Sequence, residues 1–209
     1  TGPSGAGKSY LLRLLNRLSE PTKGKIYLEN REYRQIPTIE LRQSVMFVGQ
    51  EPKFLGMSVR DALAYPLVLR DLPKLQIQQR LNYWMEQLQI PDDWLGRTEA
   101  QLSTGQRQLV NLARGMVIQP KILLLDEPTS NLDIATISRI VEILNWLYEK
   151  HQTTVLMVNH QLDVAQMFCT QLLYLQQGRL ISNQTASQVS WKNLQETLKQ
   201  AEADDDFEF

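Results

Sequence analysis

The stretch that most constrains this chain is its first ten residues, TGPSGAGKSY. Residues 2–9 follow the pattern G-x-x-x-x-G-K-S, in which glycines let the backbone wrap closely so that successive N–H groups point at phosphate oxygens. Such a loop opens a helix, whose N-terminus adds a partial positive charge. The leucines of SYLLRLLNRL recur at helical spacing directly after it. The sequence therefore predicts a phosphate-binding loop, which alone leaves kinase, GTPase and ATPase activity open.

Two side chains of this loop have expected roles. Lys8 is expected to pair with the β- and γ-phosphates of a nucleotide, and the Ser9 hydroxyl to ligate Mg²⁺. The remaining contacts would come from the backbone. The loop residues predicted to bind the nucleotide are Gly2, Pro3, Ser4, Gly5, Ala6, Gly7, Lys8 and Ser9.

A pair of acids follows a short apolar run in ILLLDEP. This pattern indicates a buried strand that delivers carboxylates to the C-terminal edge of a sheet, where ligands bind in open α/β folds. Asp126 is expected to hold Mg²⁺ through water. Glu127 is expected to act as the general base that polarises an attacking water.

Strand and helix patterns alternate in the second half of the chain. The uniformly apolar runs ILLL and TVLMV predict strands covered on both faces, which indicates a parallel sheet. Between Ser58 and about Leu102 the pattern is helical instead, and Pro66 is expected to kink or split the first of these helices. Other expected features are strands at GKIYLEN and SVMFVGQ, a hairpin turn at QQGRLI, a last helix at SWKNLQETLKQ and a solvated acidic tail, AEADDDFEF.

Composition excludes several classes of protein. Lys and Arg number 22 against 23 Asp and Glu, so a net charge of −1 offers no bulk electrostatic case for nucleic-acid binding. No apolar run approaches the roughly 20 residues that span a bilayer, and no leader pattern supports secretion. The single cysteine, Cys169, excludes an internal disulfide and is expected to be an ordinary buried residue. We expect a soluble protein that can sit against a membrane protein.

The stretch LSTGQRQLVNLARG matches a second pattern, L-S-G-G-Q followed by a basic, helical continuation. Leu102, Ser103, Gly105 and Gln106 match it, whereas Thr104 replaces the first glycine. This pattern is the signature of the ATP-binding cassette (ABC) ATPases, and the chain resembles that family.

Three further motifs follow the order of the family. DEPTSNLD, which ends at Asp133, resembles the family's Walker B strand running into its D-loop. Gln50 resembles the Q-loop glutamine, and His160 in MVNH resembles the switch histidine. The resemblance implies that Gln50 ligates Mg²⁺ or holds water, and that His160 lies near the γ-phosphate. With Glu127 they form the predicted catalytic set.

The resemblance covers essentially the whole chain and implies its architecture. The expected fold is α/β, a P-loop NTPase (RecA-like) core with a mainly parallel sheet and an inserted α-helical subdomain. As one nucleotide-binding domain of residues 1–209, the chain would have its core at residues 1–50 and 107–209 and the helical subdomain at about 51–106.

The resemblance also implies partners. Ser103, Gly105, Gln106 and Asp133 of one chain would help to enclose ATP held by a second ATP-binding subunit, identical or different. A separate transmembrane permease would dock its coupling helices beside Gln50, which places the protein at the cytoplasmic inner face of the cell membrane. ATP and Mg²⁺ are the expected ligands, and no nucleic acid is expected.

Two residues and one segment depart from the family pattern. Thr104 adds a Cβ and a hydroxyl, and we expect slowed rather than abolished turnover. Tyr10 stands where a Thr or Ser usually contacts the α-phosphate, so its phenol either reaches that oxygen or the contact is lost. In the family a β-rich N-terminal segment supplies the central strand and an aromatic that stacks on adenine. We expect that segment to be missing from this sequence.

Two other functions remain open at this level. A soluble ABC ATPase without a transport role, of the iron–sulfur assembly type, is also a short single cassette. A weakly catalytic subunit that senses ATP is suggested by Thr104 and Tyr10, whereas the presence of Lys8, Asp126, Glu127 and His160 argues against it.

Overall fold

The computed structural model describes residues 1–205, and for residues 202–205 it describes the backbone alone. Its helices are α1 (Lys8–Leu15), α2 (Thr38–Ser44), α3 (Val59–Val68), α4 (Lys74–Leu88), α5 (Thr104–Met116), α6 (Ile134–His151), α7 (Leu162–Phe168) and α8 (Trp191–Asp205). Its strands are β1 (Tyr27–Leu28), β2 (Arg31–Glu32), β3 (Val45–Val48), β4 (Ile122–Asp126), β5 (Thr154–Val158), β6 (Gln171–Gln176) and β7 (Arg179–Thr185).

A three-stranded parallel sheet in the order β3-β4-β5 lies at the centre of the fold. In its middle strand, Leu123, Leu124 and Leu125 are fully buried. Leu123 and Leu125 belong to one apolar cluster and Leu124 to another, because alternate side chains of a strand point to opposite faces. The parallel sheet predicted from the uninterrupted apolar runs is therefore confirmed.

The larger apolar cluster contains the helices that lie between β3 and β4 in sequence. Helices α3, α4 and α5 pack against one another, and Trp84 of α4 is almost completely buried. Its ring meets Trp146 of α6 edge to face, with centroids 6.4 Å apart. This aromatic contact joins the helical segment to a helix that packs on the sheet.

Pro66 does not split α3 as expected. The helix runs unbroken through it and ends two residues later, at Val68. Proline forfeits one helical hydrogen bond, to the carbonyl four residues earlier. Leu63 and Leu67 are at most 1% exposed on either side of it, and their burial offsets a loss that falls in the last turn of the helix.

The hairpin predicted at QQGRLI is confirmed as antiparallel β6 and β7. Thr1 lies beside β6, where its amino group donates to the Leu173 carbonyl at 2.7 Å and its carbonyl accepts from the Leu175 N–H at 2.9 Å. Within residues 1–205 no strand ladder joins β5 to β6. A cavity of about 370 Å³ lies between these two strands.

Two local predictions need correction. The strand expected over GKIYLEN is only the two-residue β1, which pairs with β2 through Glu29 and Asn30. Both residues have positive φ, 49° and 64°, so a tight turn interrupts the extended run. The acidic tail expected from residue 201 instead continues α8 to Asp205, and residues 206–209 lie outside the described part. None of the described helices combines the length and the apolar character needed to cross a bilayer.

Candidate nucleotide site

The glycine-rich loop leads directly into α1. Gly7 is the N-cap of that helix with φ at 90°, in the left-handed region that glycine adopts without steric cost. The Ala6 side chain is buried, and its carbonyl accepts from the Gly178 N–H in the β6–β7 turn at 3.1 Å. Ser4 and Gly5 are exposed at the middle of the loop, whereas Pro3 is buried. The loop is thus anchored at its ends and open at its centre.

Lys8 is the first residue of α1 and is only 8% exposed. Its ammonium donates to the carbonyls of Gly2 and Pro3, at 2.8 and 2.6 Å. The positive charge therefore lies inside the loop curve, next to the start of a helix whose dipole is positive at that end. Both features favour an anion held by the loop.

Ser9 and Asp126 meet at the C-terminal edge of the sheet. The Ser9 hydroxyl donates to Oδ1 of Asp126 at 3.0 Å, although the two residues lie far apart in sequence. Asp126 is 5% exposed, and burial raises the pKa of its carboxyl, while the hydrogen bond from Ser9 opposes that rise. A hydroxyl and a carboxylate are hard oxygen donors of the kind Mg²⁺ takes.

This donor pair fits Mg²⁺ rather than a protein-caged metal. Across the described residues no cluster of three or more His, Cys, Asp or Glu side chains could hold a metal ion. Mg²⁺ usually keeps several waters and takes one or two carboxylates together with substrate phosphates. One carboxylate and one hydroxyl beside a phosphate loop meet that requirement.

Glu127 lies between two of the predicted catalytic side chains. Gln50 Nε2 donates to Oε2 of Glu127 at 2.9 Å, and His160 Nε2 lies 2.9 Å from Oε1. The Glu127 backbone is left-handed, with φ at 49°, and its N–H donates to the Val158 carbonyl at 2.9 Å. Gln50 follows β3 and His160 follows β5, and both side chains therefore converge on the carboxylate that follows β4.

The signature residues form the start of α5. The Ser103 hydroxyl accepts from the Gln106 N–H at 3.2 Å, and Gln106 Oε1 accepts from the Ser103 N–H at 2.9 Å, which is a capping box. Gly105 backs onto the loop after β4, because a Cβ there would lie 2.7 Å from the Asn131 carbonyl oxygen. Thr104 is exposed, and its hydroxyl accepts from Arg107 at 3.3 Å.

The signature turn, residues 102–106, therefore contacts its own helix and the loop after β4. The helix starts inside the signature, at Thr104, so the boundary expected at residue 106 falls within α5.

Two further predicted residues lie on helix starts. Tyr10 is 53% exposed in the first turn of α1. Asp133 is the N-cap of α6, where Oδ1 accepts from the Thr136 N–H at 2.9 Å and Oδ2 from its hydroxyl at 2.8 Å. The bond from the Thr136 backbone lowers the pKa of the Asp133 carboxyl.

A polar strip on α5 was not predicted from the sequence. Asn111 Nδ2 donates to the carbonyl of Gly49, the residue before Gln50, at 3.1 Å. Arg114 donates to Asn111 Oδ1 at 3.1 Å and to the Lys53 carbonyl at 2.7 Å. Burial lowers the pKa of Arg114, although Glu99 nearby raises it. The strip therefore joins the signature helix α5 to the segment that contains Gln50.

The signal for this strip was present in RQLVNLARG. Gln108, Asn111 and Arg114 recur three residues apart on one helical face, among residues that are otherwise buried. Gln108 donates to the Glu127 carbonyl at 3.5 Å, and its own Oε1 is buried without a hydrogen-bond partner among the described atoms.

A phosphate loop opening α1, a buried lysine inside it and a serine–carboxylate pair at the sheet edge define a P-loop nucleotide-binding protein. A family model described as ABC transporter matches residues 1–130. The chain belongs to the ABC transporter family.

Known relatives agree with that assignment. The methionine import ATP-binding protein MetN 3 of Pectobacterium atrosepticum is 36% identical over 192 residues, covering 90% of this chain. MetN 2 of Pseudomonas syringae pv. tomato is 34% identical over 210 residues, covering 98% of it. The chain spans 56% and 62% of the length of these two relatives.

Solved structures share the fold. The ATP-binding cassette MJ0796, in a dimeric post-hydrolysis state bound to ADP and Pi, superposes with a TM-score of 0.81 at 27% identity. That alignment covers 88% of this chain and 83% of the cassette. CbiO1 from Clostridium perfringens, described as part of the ABC transporter complex cbiONQ, has a TM-score of 0.76 at 27% identity, with 97% and 78% covered. The predicted α/β P-loop fold is therefore confirmed.

Proposed function

We propose that this chain is the ATP-binding and ATP-hydrolysing subunit of a membrane ABC transporter. The observation that carries the proposal is the position of Glu127, which is held between Gln50 and His160 and directly follows the Asp126–Ser9 pair. A base, two polar partners and a cation site thus follow one another at a single sheet edge. That arrangement suits in-line attack of water on a phosphate.

The reaction is divided among these residues. The loop N–H groups and Lys8 bind the triphosphate, and Ser9, Asp126 and Gln50 would hold Mg²⁺. When bound, Mg²⁺ supplies positive charge that neutralises the phosphate oxygens. Glu127 accepts a proton from water as the water oxygen bonds to the γ-phosphorus and the bond to ADP breaks. The products are ADP and phosphate.

The two neighbours of Glu127 have distinct tasks in this proposal. Gln50 donates one N–H to Glu127 and keeps its amide oxygen for water or the cation. His160 holds the other carboxylate oxygen and faces solvent, where the γ-phosphate would lie. Together they orient the carboxylate, so that it accepts the proton without first rearranging.

A second copy or a related subunit completes the site. The N-terminus of α5 is exposed at Ser103 and Thr104, so its N–H groups can face phosphate held by another chain. Gly105, Gln106 and Asp133 would line the same interface. The dimeric state of the MJ0796 cassette supports this arrangement.

The partner in the membrane would be a separate transmembrane permease, which places the subunit at the cytoplasmic face of the membrane. Leu55, Tyr65 and Val68 are 78%, 45% and 55% exposed on the segment that follows Gln50. Exposed apolar side chains of this kind suit docking of a partner helix. The helical subdomain at about 51–106, set against the core at 1–50 and 107–209, would then carry the motion between permease and Gln50.

The relatives favour transport over the two alternatives. Both MetN proteins are named as methionine import ATP-binding proteins, whereas an iron–sulfur assembly ATPase needs no membrane partner. An ATP sensor without turnover conflicts with the intact set of Glu127, Gln50 and His160. We therefore propose a transport motor, with cargo chosen by the membrane subunit.

The proposal is tested with Lys8→Ala in an assay of phosphate release from MgATP. The variant loses the charge inside the loop, so ATP binding and hydrolysis should both fall below detection. Lys192→Ala, an exposed lysine on α8, is the control and should behave as wild type. A wild-type protein that binds ATP tightly yet releases no phosphate, with or without a permease, would overturn the motor in favour of a sensor.

A further inference from the structure

We propose that Thr129 is a positioning residue that sets the geometry of His160 against Glu127. This inference rests on the proposed ATPase function and extends it to a residue outside the predicted site. Thr129 lies two residues after Glu127 and is fully buried. It belongs to the same DEPTSNLD stretch as Glu127, and its hydroxyl acts through the two residues that flank His160.

The contacts form a closed polar network. Asn159 Nδ2 donates to the Thr129 hydroxyl at 2.8 Å, and that hydroxyl donates to Gln161 Oε1 at 3.0 Å. Asn159 Oδ1 in turn accepts from the Gln161 backbone N–H at 2.9 Å. One hydroxyl therefore fixes the residue before His160 and the residue after it.

Side-chain packing alone does not explain the position of His160. The side chain of His160 is 41% exposed and that of Glu127 is 20% exposed, yet their atoms meet at 2.9 Å. Holding the two side chains of a partly exposed ion pair in one geometry normally costs conformational entropy. Here the backbone at both ends of the pair is fastened, at His160 by the network and at Glu127 by the bond to the Val158 carbonyl.

The hydroxyl is the part of Thr129 that matters. Valine has nearly the same shape but would remove the hydroxyl partner of the buried Asn159 amide, and an unsatisfied buried group is costly, while the exposed Gln161 would lose the bond that holds its side chain. We infer that the loop would then rearrange and His160 would leave Glu127. Serine keeps the hydroxyl and should preserve the network.

The test compares Thr129→Val, Thr129→Ser and Thr153→Val. Thr153 is also buried, and its hydroxyl donates to the Pro120 carbonyl at 3.1 Å, at the opposite end of β5 from His160. Thr129→Val should lower kcat for ATP about tenfold or more, the scale of a small misplacement of reacting groups. KM and ATP affinity should stay unchanged. Thr129→Ser and Thr153→Val should keep kcat near wild type.

A second readout is independent of hydrolysis. The chain has two histidines, so an NMR spectrum of their ring Cε1–H groups has two signals, assigned with His160→Ala. Thr129→Val should shift the His160 signal, and Thr129→Ser should not. The signal of His151, which packs on Trp146 with centroids 4.5 Å apart, should stay in place throughout.

The two readouts separate the possible failures. If wild type shows no hydrolysis but Thr129→Val still shifts the His160 signal, the proposed function fails and the positioning role stands. An unmoved His160 signal in Thr129→Val would overturn the positioning role. So would an equal loss of kcat in Thr129→Val and Thr153→Val, because that result would mean a general effect of losing a buried hydroxyl.

Discussion

His160 Nε2 lies 2.9 Å from Oε1 of Glu127, and Gln50 occupies the other carboxylate oxygen at the same distance. Both oxygens of the expected base therefore have a partner on a different loop. Because Glu127 directly follows the strand residue that contacts Ser9, the base and the cation site share one rigid backbone. The catalytic assignment can be tested at that residue.

Glu127→Gln should lower the rate of ATP hydrolysis by about 10²–10⁴-fold, the usual worth of a positioned general base. ATP binding should remain, because the loop and Lys8 are untouched. A dimer held by unhydrolysed ATP should accumulate, visible by size-exclusion chromatography with light scattering. Glu142→Gln, on the exposed face of α6, is the matched control and should leave the rate unchanged. Equal rates for the two variants would remove Glu127 from its role.

Asp126→Asn should raise the stability of the fold but abolish Mg²⁺-dependent ATP binding. Burial raises the pKa of Asp126 above its ordinary value of 3.8, so the ionised carboxylate at neutral pH costs folding stability. Stability linked to this group is fully present below the ordinary pKa and is lost as pH rises through the raised pKa. Asparagine keeps an acceptor for Ser9 without the charge. The variant should therefore melt at a higher temperature than wild type at pH 7.

The gain in melting temperature should shrink as pH falls toward 3.8. Mg²⁺-dependent ATP binding should be lost at the same time, since an amide is a poorer cation ligand than a carboxylate. Thermal melts at several pH values, with ATP titrations with and without Mg²⁺, check both statements. A gain in melting temperature that does not change with pH would contradict the assigned cause.

Gly105→Ala should slow hydrolysis while leaving ATP binding intact. The new Cβ would lie 2.7 Å from the Asn131 carbonyl oxygen, so α5 or the loop after β4 must shift. We expect a loss of about tenfold or more in kcat, because a displacement near 1 Å is enough to misplace reacting groups. Gly96→Ala is the control, since no atom lies within 4 Å of its added Cβ. A full rate in Gly105→Ala would show that the signature turn tolerates displacement.

Gly115→Ala should destabilise the fold rather than the site. Alanine in place of a mid-helix glycine gains about 1 kcal/mol of helix propensity. The added Cβ, however, would lie 2.4 Å from Cγ2 of Val48, a buried β-branched residue of the central sheet. Overpacking of this kind costs about 1–3 kcal/mol and should prevail. Urea unfolding should show a lower free energy of unfolding than wild type, and a stabilised variant would contradict the packing described.

The sequence predicted the elements that have strong local signals. The apolar run of β4 is buried on both faces and that of β5 packs against an apolar cluster on each face while staying partly exposed, so their composition alone indicated parallel strands. The residues that converge on Glu127 follow adjacent strands, and parallel strands bring their C-terminal ends to one edge. Their proximity could therefore be predicted from the order of the motifs together with the family resemblance.

Other features depend on contacts that a linear pattern does not encode. Pro66 predicted a kink or a split in α3, but the helix is not split, because tertiary burial of Leu63 and Leu67 outweighs a single lost hydrogen bond. The extended run GKIYLEN ends after β1 because the chain turns back into β2 at Glu29 and Asn30, which both have positive φ. Thr129 gives no signal in sequence, because its role depends on Asn159 and Gln161, which reach it from another loop.

The central claim is that one chain completes the ATP site of another, and mixing two inactive variants tests it most directly. Lys8→Ala disables the phosphate loop, and Ser103→Arg disables the signature turn while sparing ATP binding by its own chain. Each variant alone should be inactive. In a mixed dimer, the intact loop of the Ser103→Arg chain faces the intact signature of the Lys8→Ala chain. Hydrolysis should therefore reappear on mixing, whereas a mixture as inactive as its components would contradict the shared site.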